Sequence, residues 1–495
     1  MKHLKSPIIL RLYQTAVKTL WELFILLLPI TSLPLVARIA GGQSVAVPSG
    51  LVVFALVVVW LVPQLWQGMK MPRHMLSIIL FVMIALLSVI FGYWRDIPIF
   101  KGFNPLKENA EALITLLMGV SYYFVTMLWL RKADTLKEAR RILRLVTITG
   151  VVVLIKAFAE VVIWRIFGTW PDWYRSFHNL ISTGTLFRDR VVAFAFEPSW
   201  LSDMLNLLYI PYWLASAITR KTMFEKKIWK LQVEDICLVL GAATLFFTLS
   251  RLGYLSFLLM IGLIILRASQ WAVRRIEARM AMRHERFKQQ KGKKRLRAGL
   301  YLGIAVVYIS MFLLAALIIS KLDYRSAEIF DFSNFKFMRY AEMLSFGARV
   351  TYWWGGWNMF SQFPLFGVGL GNAGFYFPHV LPDYAWRLFE IRKLFFRQDV
   401  LLNVKSLWFR LLAETGVLGF AAFFSFLSGI FGMAISLKGS EIPFAHFIGW
   451  MGLFALAAFL VEQMSLDTFA LPYFWVTFGI IAAVYETQKN NKTSS

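Results

Sequence analysis

Long apolar runs separated by short polar connections dominate the chain from end to end. Each run of roughly 18 or more apolar residues is enough to cross a bilayer as a helix. The pattern predicts spans near 19–39, 50–66, 75–94, 109–130, 145–167, 197–218, 233–250, 252–267, 299–320, 414–436, 444–464 and 467–486. That is an all-α, polytopic helical membrane protein with about twelve transmembrane helices. The first run is too long for a signal-peptide core and lacks a clean cleavage pattern, so it reads as a retained span.

The polar connections set the orientation. Segment 131–144 holds six basic and two acidic residues, 219–230 five and one, and 267–298 twelve and two. By the positive-inside rule these three lie in the cytoplasm, with both termini and the 487–495 tail. Spans one to nine then occupy 1–320, a large extracytoplasmic loop 321–405, and spans ten to twelve 406–486. The 267–298 run reads first as a topology anchor with a solvated helical face; an anionic-lipid site is the other reading.

Two cytoplasmic connections, 219–230 and 267–298, flank one apolar block, 233–266. An even number of spans must separate them, so the block turns round at "TLSRLGY" (248–254). Arg251 is thereby placed at the outer boundary of the membrane, where an arginine is costly unless it meets an anion. The late loop begins with a stretch, 335–364, whose Met, Leu, Trp and Phe spacing suits a helix along the membrane surface. A Gly-rich segment, "GVGLGNAG" (367–374), follows. It lacks the Lys-Ser/Thr of a nucleotide loop and reads as a tight turn.

Composition agrees. Hydrophobic residues make up 58% of 495, and mean hydropathy is +0.61. The net charge of +25 would suggest nucleic acid in a soluble chain; here membrane topology explains it, and no nucleic-acid partner is expected. One cysteine, Cys237, excludes an intrachain disulfide and a cysteine-cluster metal site. His178 and His379 have no metal-ligand companions in the sequence, so neither a metal nor another cofactor is expected.

The chemistry is concentrated on the outer side. Arg188, Arg190, Arg251 and Arg349 come from three different segments, and arginine's planar fork suits phosphate oxygens. Together they read as a pocket for a phosphate or pyrophosphate whose tail stays in lipid. The plainer reading is that each arginine snorkels or pairs with Asp189, Glu197 or Glu342. Glu197 precedes Pro198 and suits the N-terminus of a span; it would also serve to orient Arg188 or Arg190 or to bind a sugar hydroxyl.

"TLSRLGY", "FEPSW", "FPLFGVGLGNAGFYFP" and "LLNVKSLWFRLLAETGVLGF" resemble the O-antigen ligase/polymerase superfamily over about 185–435. The resemblance implies a membrane-embedded glycosyltransferase fold of the GT-C type. It implies transfer of a glycan from a polyisoprenyl pyrophosphate carrier to an acceptor glycan or lipid at the outer face of a bacterial plasma (inner) membrane. Arg251 matches the family's hairpin arginine, which holds the pyrophosphate; Arg188 and Arg190 fall where the family has arginines in an earlier loop. Ligases of the family carry a histidine-containing pair shortly before the glycine of the last motif. Here Lys405-Ser406 stands in that place, before Gly416. Lysine is a poor base at neutral pH but a good counter-charge for pyrophosphate. That departure, with "FEPSW", leans toward a polysaccharide polymerase, with ligase as the alternative and a transporter as the rival of another class. Arg251, Arg188, Arg190, Glu197 and Lys405 are the candidate catalytic residues. Arg349, His379, Asp399, Ser406 and Glu414 are candidates for substrate binding, with Glu197 and Asp399 as candidate bases. A flippase or chain-length regulator is a possible protein partner.

Overall fold

A computed structural model describes residues 7–40, 47–132, 134–224, 231–283, 290–322 and 347–494. Glu342, residues 225–230 and most of the 321–346 segment lie outside the described residues, and with them part of the surface helix expected at 335–364. The protein is a polytopic helical membrane protein, with no β-strand among the described residues.

The helices run α1 Pro7–Leu26, α2 Pro34–Ala40, α3 Pro48–Trp66, α4 Arg73–Tyr93, α5 Pro105–Lys132, α6 Thr135–Phe167 and α7 Asp172–Ile181. Next comes α8, made of Pro198–Met204 and Ile210–Thr219 joined through a π turn at Leu205–Tyr209. There follow α9 Val233–Phe247, α10 Arg251–Arg283, α11 Gln290–Leu322, α12 Gly347–Gln362, α13 Ala373–Val380 and α14 Phe389–Arg397. The last three are α15 Leu407–Lys438, α16 Pro443–Glu462 and α17 Tyr473–Ser494. Seven of them, α3–α6, α10, α15 and α16, are long and apolar enough to cross a membrane by length and composition.

Two compact units divide the chain: 1–254 with 348–495, and 255–347. In the first, α5 lies along α17, α15 packs on α16 and α4, and α8 packs on α16 and α9. Its core is heavily aromatic, with Phe423, Phe426, Phe459, Phe474, Trp475 and Phe478 in mutual ring contact. In the second unit, Arg297 forms an ion pair with Glu277, and Ser269 Oγ meets the Tyr308 hydroxyl.

The first apolar run differs from expectation. Residues 19–39 are not one helix: α1 ends at Leu26 and α2 begins at Pro34. Proline disfavours α conformation in the residue before it, so Leu33-Pro34 makes the break. The backbone N–H of Thr31, in that break, donates to Phe194 O at 3.3 Å.

α15 contains a second break, and it explains why two Gly-rich segments occur together. Gly416 takes φ 65° and ψ −167°, which interrupts the helical ladder. In a continuous helix the N–H groups of residues 417 and 418 would bond the carbonyls of 413 and 414. Here those four groups turn to residues 364–369. Val368 N and Gly369 N donate to Ala413 O and Glu414 O at 2.8 and 3.1 Å, and Val417 N and Leu418 N donate to Pro364 O and Leu365 O at 2.8 and 3.4 Å. A Cβ on residue 416 would stand 2.2 Å from Leu365 O, so the approach requires glycine. Leu370 N donates to Ser88 Oγ, and Asn109 Nδ2 donates to Leu370 O. The N–H groups of Val368, Gly369 and Leu370 are thus spent on the protein itself, which suits the tight turn expected of "GVGLGNAG".

Candidate functional site

The turn between α9 and α10 is built by three side chains that sequence alone makes intelligible. Thr248 Oγ1 donates to Leu245 O at 2.7 Å, closing α9. Leu249 takes a left-handed φ of 49°. Ser250 Oγ then accepts from Gly253 N at 3.3 Å, the bond of a helix N-cap, and α10 starts at Arg251. The chain folds back on itself here: Tyr254 donates its hydroxyl hydrogen to Phe246 O at 2.6 Å, and the two rings stack. The hairpin expected at 248–254 is therefore present, with half-buried Arg251 as the first residue of its second arm.

The 182–197 segment reaches the same hairpin. Arg190 Nε donates to Thr248 O at 2.8 Å, and the next residue, Val191, donates its N–H to Phe247 O at 3.1 Å. Two residues on, the loop is fastened to α6 by a buried pair. The Glu160 carboxylate accepts from Lys156 Nζ at 2.7 Å and from the backbone N–H groups of Val192 and Ala193 at 2.8 and 3.1 Å. Lys156 also donates to Ala193 O, and Ala193 holds φ 47°. Both side chains are nearly inaccessible, so the pair is tolerable only because hydrogen bonds engage both charges. His178 donates from Nε2 to Gly184 O at 3.0 Å in the same loop, and burial, then the Lys156 charge, lowers its proton affinity.

The other residues of "FRDRVVAFAFEPSW" are placed differently. Arg188 and Asp189 are exposed, with the Arg188 guanidinium 5.6 Å from the centre of the Trp164 ring. Glu197 occupies the N-cap of α8 with Pro198 in the first helical position, as expected, and its carboxylate accepts from the Ser199 hydroxyl.

A third piece comes from the start of α15 and the loop after α16. Lys405 has φ 57°, and its N–H donates to Asp467 Oδ2 at 3.1 Å, while Asn403 Nδ2 donates to Asp467 Oδ1 at 3.3 Å. Ser406 is fully buried and donates to Gln463 O at 3.1 Å. Its hydroxyl fastens the helix start to the neighbouring loop. Arg410 Nη1 donates to Asp467 O at 2.6 Å and its Nε to Glu414 at 2.8 Å, so the Glu414 carboxylate is held within its own helix. Arg349 Nη1 reaches Ser465 O, in the same loop, at 3.4 Å. The His379 and Asp399 side chains are exposed and make no hydrogen bond among the described residues.

Hairpin and loop are joined through a buried polar cluster. Asn206 Nδ2, on α8, donates both to Gly253 O at 3.0 Å and to Glu462 at 2.6 Å; Ser202 donates to Glu462 at 3.2 Å. Gln463 Nε2 donates to Asp203 at 3.2 Å, while its own carbonyl accepts from Ser406 and Leu407. A Cβ at Gly253 would lie 2.0 Å from Ser202 Oγ, which fixes how closely the hairpin lies on α8. Arg190, the Arg251 hairpin, Lys405 and Arg349 thus belong to one hydrogen-bonded framework at one end of the bundle. His379 and Asp399 are not tied into it.

Sequence reasoning missed Lys156, Glu160, Asp203, Asn206, Glu462, Asp467 and Arg410. The available signal was charge inside an apolar run: Lys156 and Glu160 stand four apart, on one helical face, within a span. Among the described residues, no three His, Cys, Asp or Glu side chains gather to hold a metal ion.

Residues 236–424 match the family model described as O-antigen ligase. No curated protein matches the chain. The matched segment, less than half of the chain, takes in the Arg251 hairpin, the glycine loop at 367–374, Lys405-Ser406 and the Gly416 break, which are the parts the fold joins, and it supports the resemblance to the O-antigen ligase/polymerase superfamily.

Proposed function

We propose that the protein is a polysaccharide polymerase. It would transfer a glycan from a polyisoprenyl pyrophosphate carrier to an acceptor glycan at the outer face of a bacterial plasma membrane. The observation that carries this reading is the direct bond between the Arg190 loop and the Arg251 hairpin, Arg190 Nε to Thr248 O. It brings two arginine-bearing segments together at a helix start, where an anion is favoured. The arginines would take the pyrophosphate while its polyisoprenyl tail remains in lipid.

In this reaction an acceptor hydroxyl attacks the anomeric carbon. The bond from that carbon to the pyrophosphate oxygen breaks, and its electron pair leaves with the pyrophosphate. The leaving group is already good, so the enzyme's main contributions are to position the acceptor and to neutralise the growing charge. Arg251 and Arg190 suit the second task, with Arg188 at the rim. Lys405, in a strained turn held by Asp467, is a further counter-charge. Glu197 and Asp399 are the candidates to receive the acceptor's proton; of the two, Glu197 lies in the segment joined to the hairpin. Arg349, which bonds the same loop as Lys405, would bind substrate, whereas Ser406 and Glu414 would act by holding the helix start in shape. The basic connections would face the cytoplasm.

The second reading is ligase, favoured by the description of the matched family. Lysine in place of histidine at 405 favours polymerase, because a general base is lost and a cation gained. A deletion strain, scored for surface glycan by gel, separates the two. Single repeat units on the acceptor, with long chains missing, are the polymerase result. Full-length chains accumulating on the lipid carrier would mean ligase, and unchanged glycan would refute both.

A further inference from the structure

At the opposite end of the bundle from the Arg251 hairpin, the polar connections enclose two adjoining clefts. The first, of about 580 Å³, lies among α1, α3, α5 and α6. Its apolar wall includes Trp60 and Trp129, whose rings meet edge to face at 5.1 Å, together with Tyr13. Its cations are Lys18, Lys132 and Arg141. The second, of about 530 Å³, shares Gln64, Gln67 and Lys132 with the first and adds Lys70 and Arg131.

The charges in these clefts are not equally committed. Arg141 is paired with Glu22 and lies 3.9 Å from Glu138, so it adds little net charge. Among the described residues, Lys132 donates only to a neutral group, Gln64 Oε1, at 2.7 Å, and Arg131 only to the Lys70 carbonyl, at 2.7 Å. Lys18 and Lys70 are exposed and have no acidic partner among the described residues. Among the described residues, no acidic side chain lines the second cleft. A shared wall therefore carries uncompensated positive charge on both sides, directly beside an indole and phenol surface.

We propose that these joined clefts bind the headgroup of an anionic phospholipid. Each feature has a counterpart in that ligand. The phosphate meets Lys132 with Lys18 or Lys70, the glycerol hydroxyls meet the Gln64 and Gln67 amides, and the first methylenes of the acyl chains lie on Trp60 and Tyr13. Basic pockets between helix ends and interfacial aromatics are what lipid headgroups select. A topology signal alone needs only basic residues near the helix ends. It does not need them gathered round a concave aromatic wall.

The test uses the full chain purified in detergent, titrated with phosphatidylglycerol, phosphatidylcholine or inorganic phosphate, and read by native mass spectrometry. Saturable binding of phosphatidylglycerol with little of phosphatidylcholine is expected. At about 1 kcal/mol per basic group near the headgroup, Lys18→Gln and Lys132→Gln would each weaken binding about fivefold, and the pair about thirtyfold. Lys137→Gln, in the same connection but outside both clefts, would leave it unchanged. All three side chains are exposed, so folding is not at stake. Equal binding of the two lipids, or an equal loss in Lys137→Gln, would overturn the proposal. Displacement of phosphatidylglycerol by millimolar inorganic phosphate would also overturn it, by showing a site for a free anion.

Discussion

The two ends of the helix bundle use the same cations in opposite ways. At the hairpin end, basic side chains are spent on the backbone: Arg190 on Thr248 O, Arg349 on Ser465 O, Arg410 on Asp467 O, and Lys156 on Ala193 O. Buried carboxylates at Glu160, Glu462 and Asp467 hold the connecting strands of chain in register. At the other end, Lys18, Lys70 and Lys132 stand exposed around open clefts. Charge that is buried and fully bonded specifies a conformation, whereas exposed charge supplies a field. A site that must hold one geometry needs the first kind, and a surface that meets lipid needs only the second.

The sharpest way to break this contrast is at the Lys156–Glu160 pair. Removing one partner leaves a buried charge without its counterpart, so Glu160→Ala or Lys156→Ala is expected to cost about 3–5 kcal/mol. Thermal unfolding in detergent would show it, with early proteolysis in the 182–197 loop. The double variant Lys156→Met with Glu160→Leu should cost less than either single change. Equal stability of all four proteins would mean that the pair does not organise the loop.

Arg190→Ala comes next. One backbone hydrogen bond contributes about 1 kcal/mol, so stability should fall only by that order. Glycan synthesis should fall much further, by about 100-fold, if the guanidinium also meets the pyrophosphate. Wild-type synthesis in Arg190→Ala would reduce this residue to a tether.

His178 gives a pH-dependent version of the same comparison. Burial, then the nearby Lys156 charge, lowers its affinity for a proton below the ordinary 6.5. The unfolded chain therefore takes up the proton first as pH falls. The ring's contribution is complete above about pH 6.5 and is lost progressively below it. Glu160 opposes the shift without reversing it. Tyr174, on the same short helix, bonds to Glu160 and stays protonated throughout, because burial raises its proton affinity. Proteolysis of the 182–197 loop should accelerate on acidification in the wild type and lose that dependence in His178→Asn.

The smallest effect is expected at the basic end. Lys132→Gln should shift thermal stability by less than about 0.5 kcal/mol, as for other exposed substitutions. A shift comparable with that of Glu160→Ala would erase the distinction between the two ends.

Much of the architecture was legible in the sequence because the bilayer imposes a simple rule on it. Apolar runs of sufficient length mark the helices, and parity between two basic connections locates the 248–254 hairpin. The break at residues 27–33 was not legible: the run stays apolar across it, and only Pro34 marks a helix start. The Gly416 interruption was equally hidden, since its carbonyls and N–H groups are satisfied by a segment some fifty residues earlier. At the site, Arg190, the Arg251 hairpin, Lys405 and Arg349 lie in one hydrogen-bonded framework. Ser406 and Glu414 proved to be fastened internally, and His379 and Asp399 to be exposed. Glu160 has a local signal in Lys156, four residues before it, whereas the buried partners Asp203 and Glu462 were not legible because each is a single charge in a greasy run. Their importance depends on contacts from distant helices that no local pattern encodes.

The central claim is that the hairpin arginine receives the carrier's pyrophosphate. Its most direct test is glycan synthesis in a deletion strain complemented with wild type, Arg251→Lys or Arg251→Ala, with membrane levels of each protein matched by immunoblot. The account predicts that long chains disappear with Arg251→Ala and fall strongly with Arg251→Lys, because a single ammonium does not reproduce the two-pronged fork. Full-length glycan from both variants would contradict it.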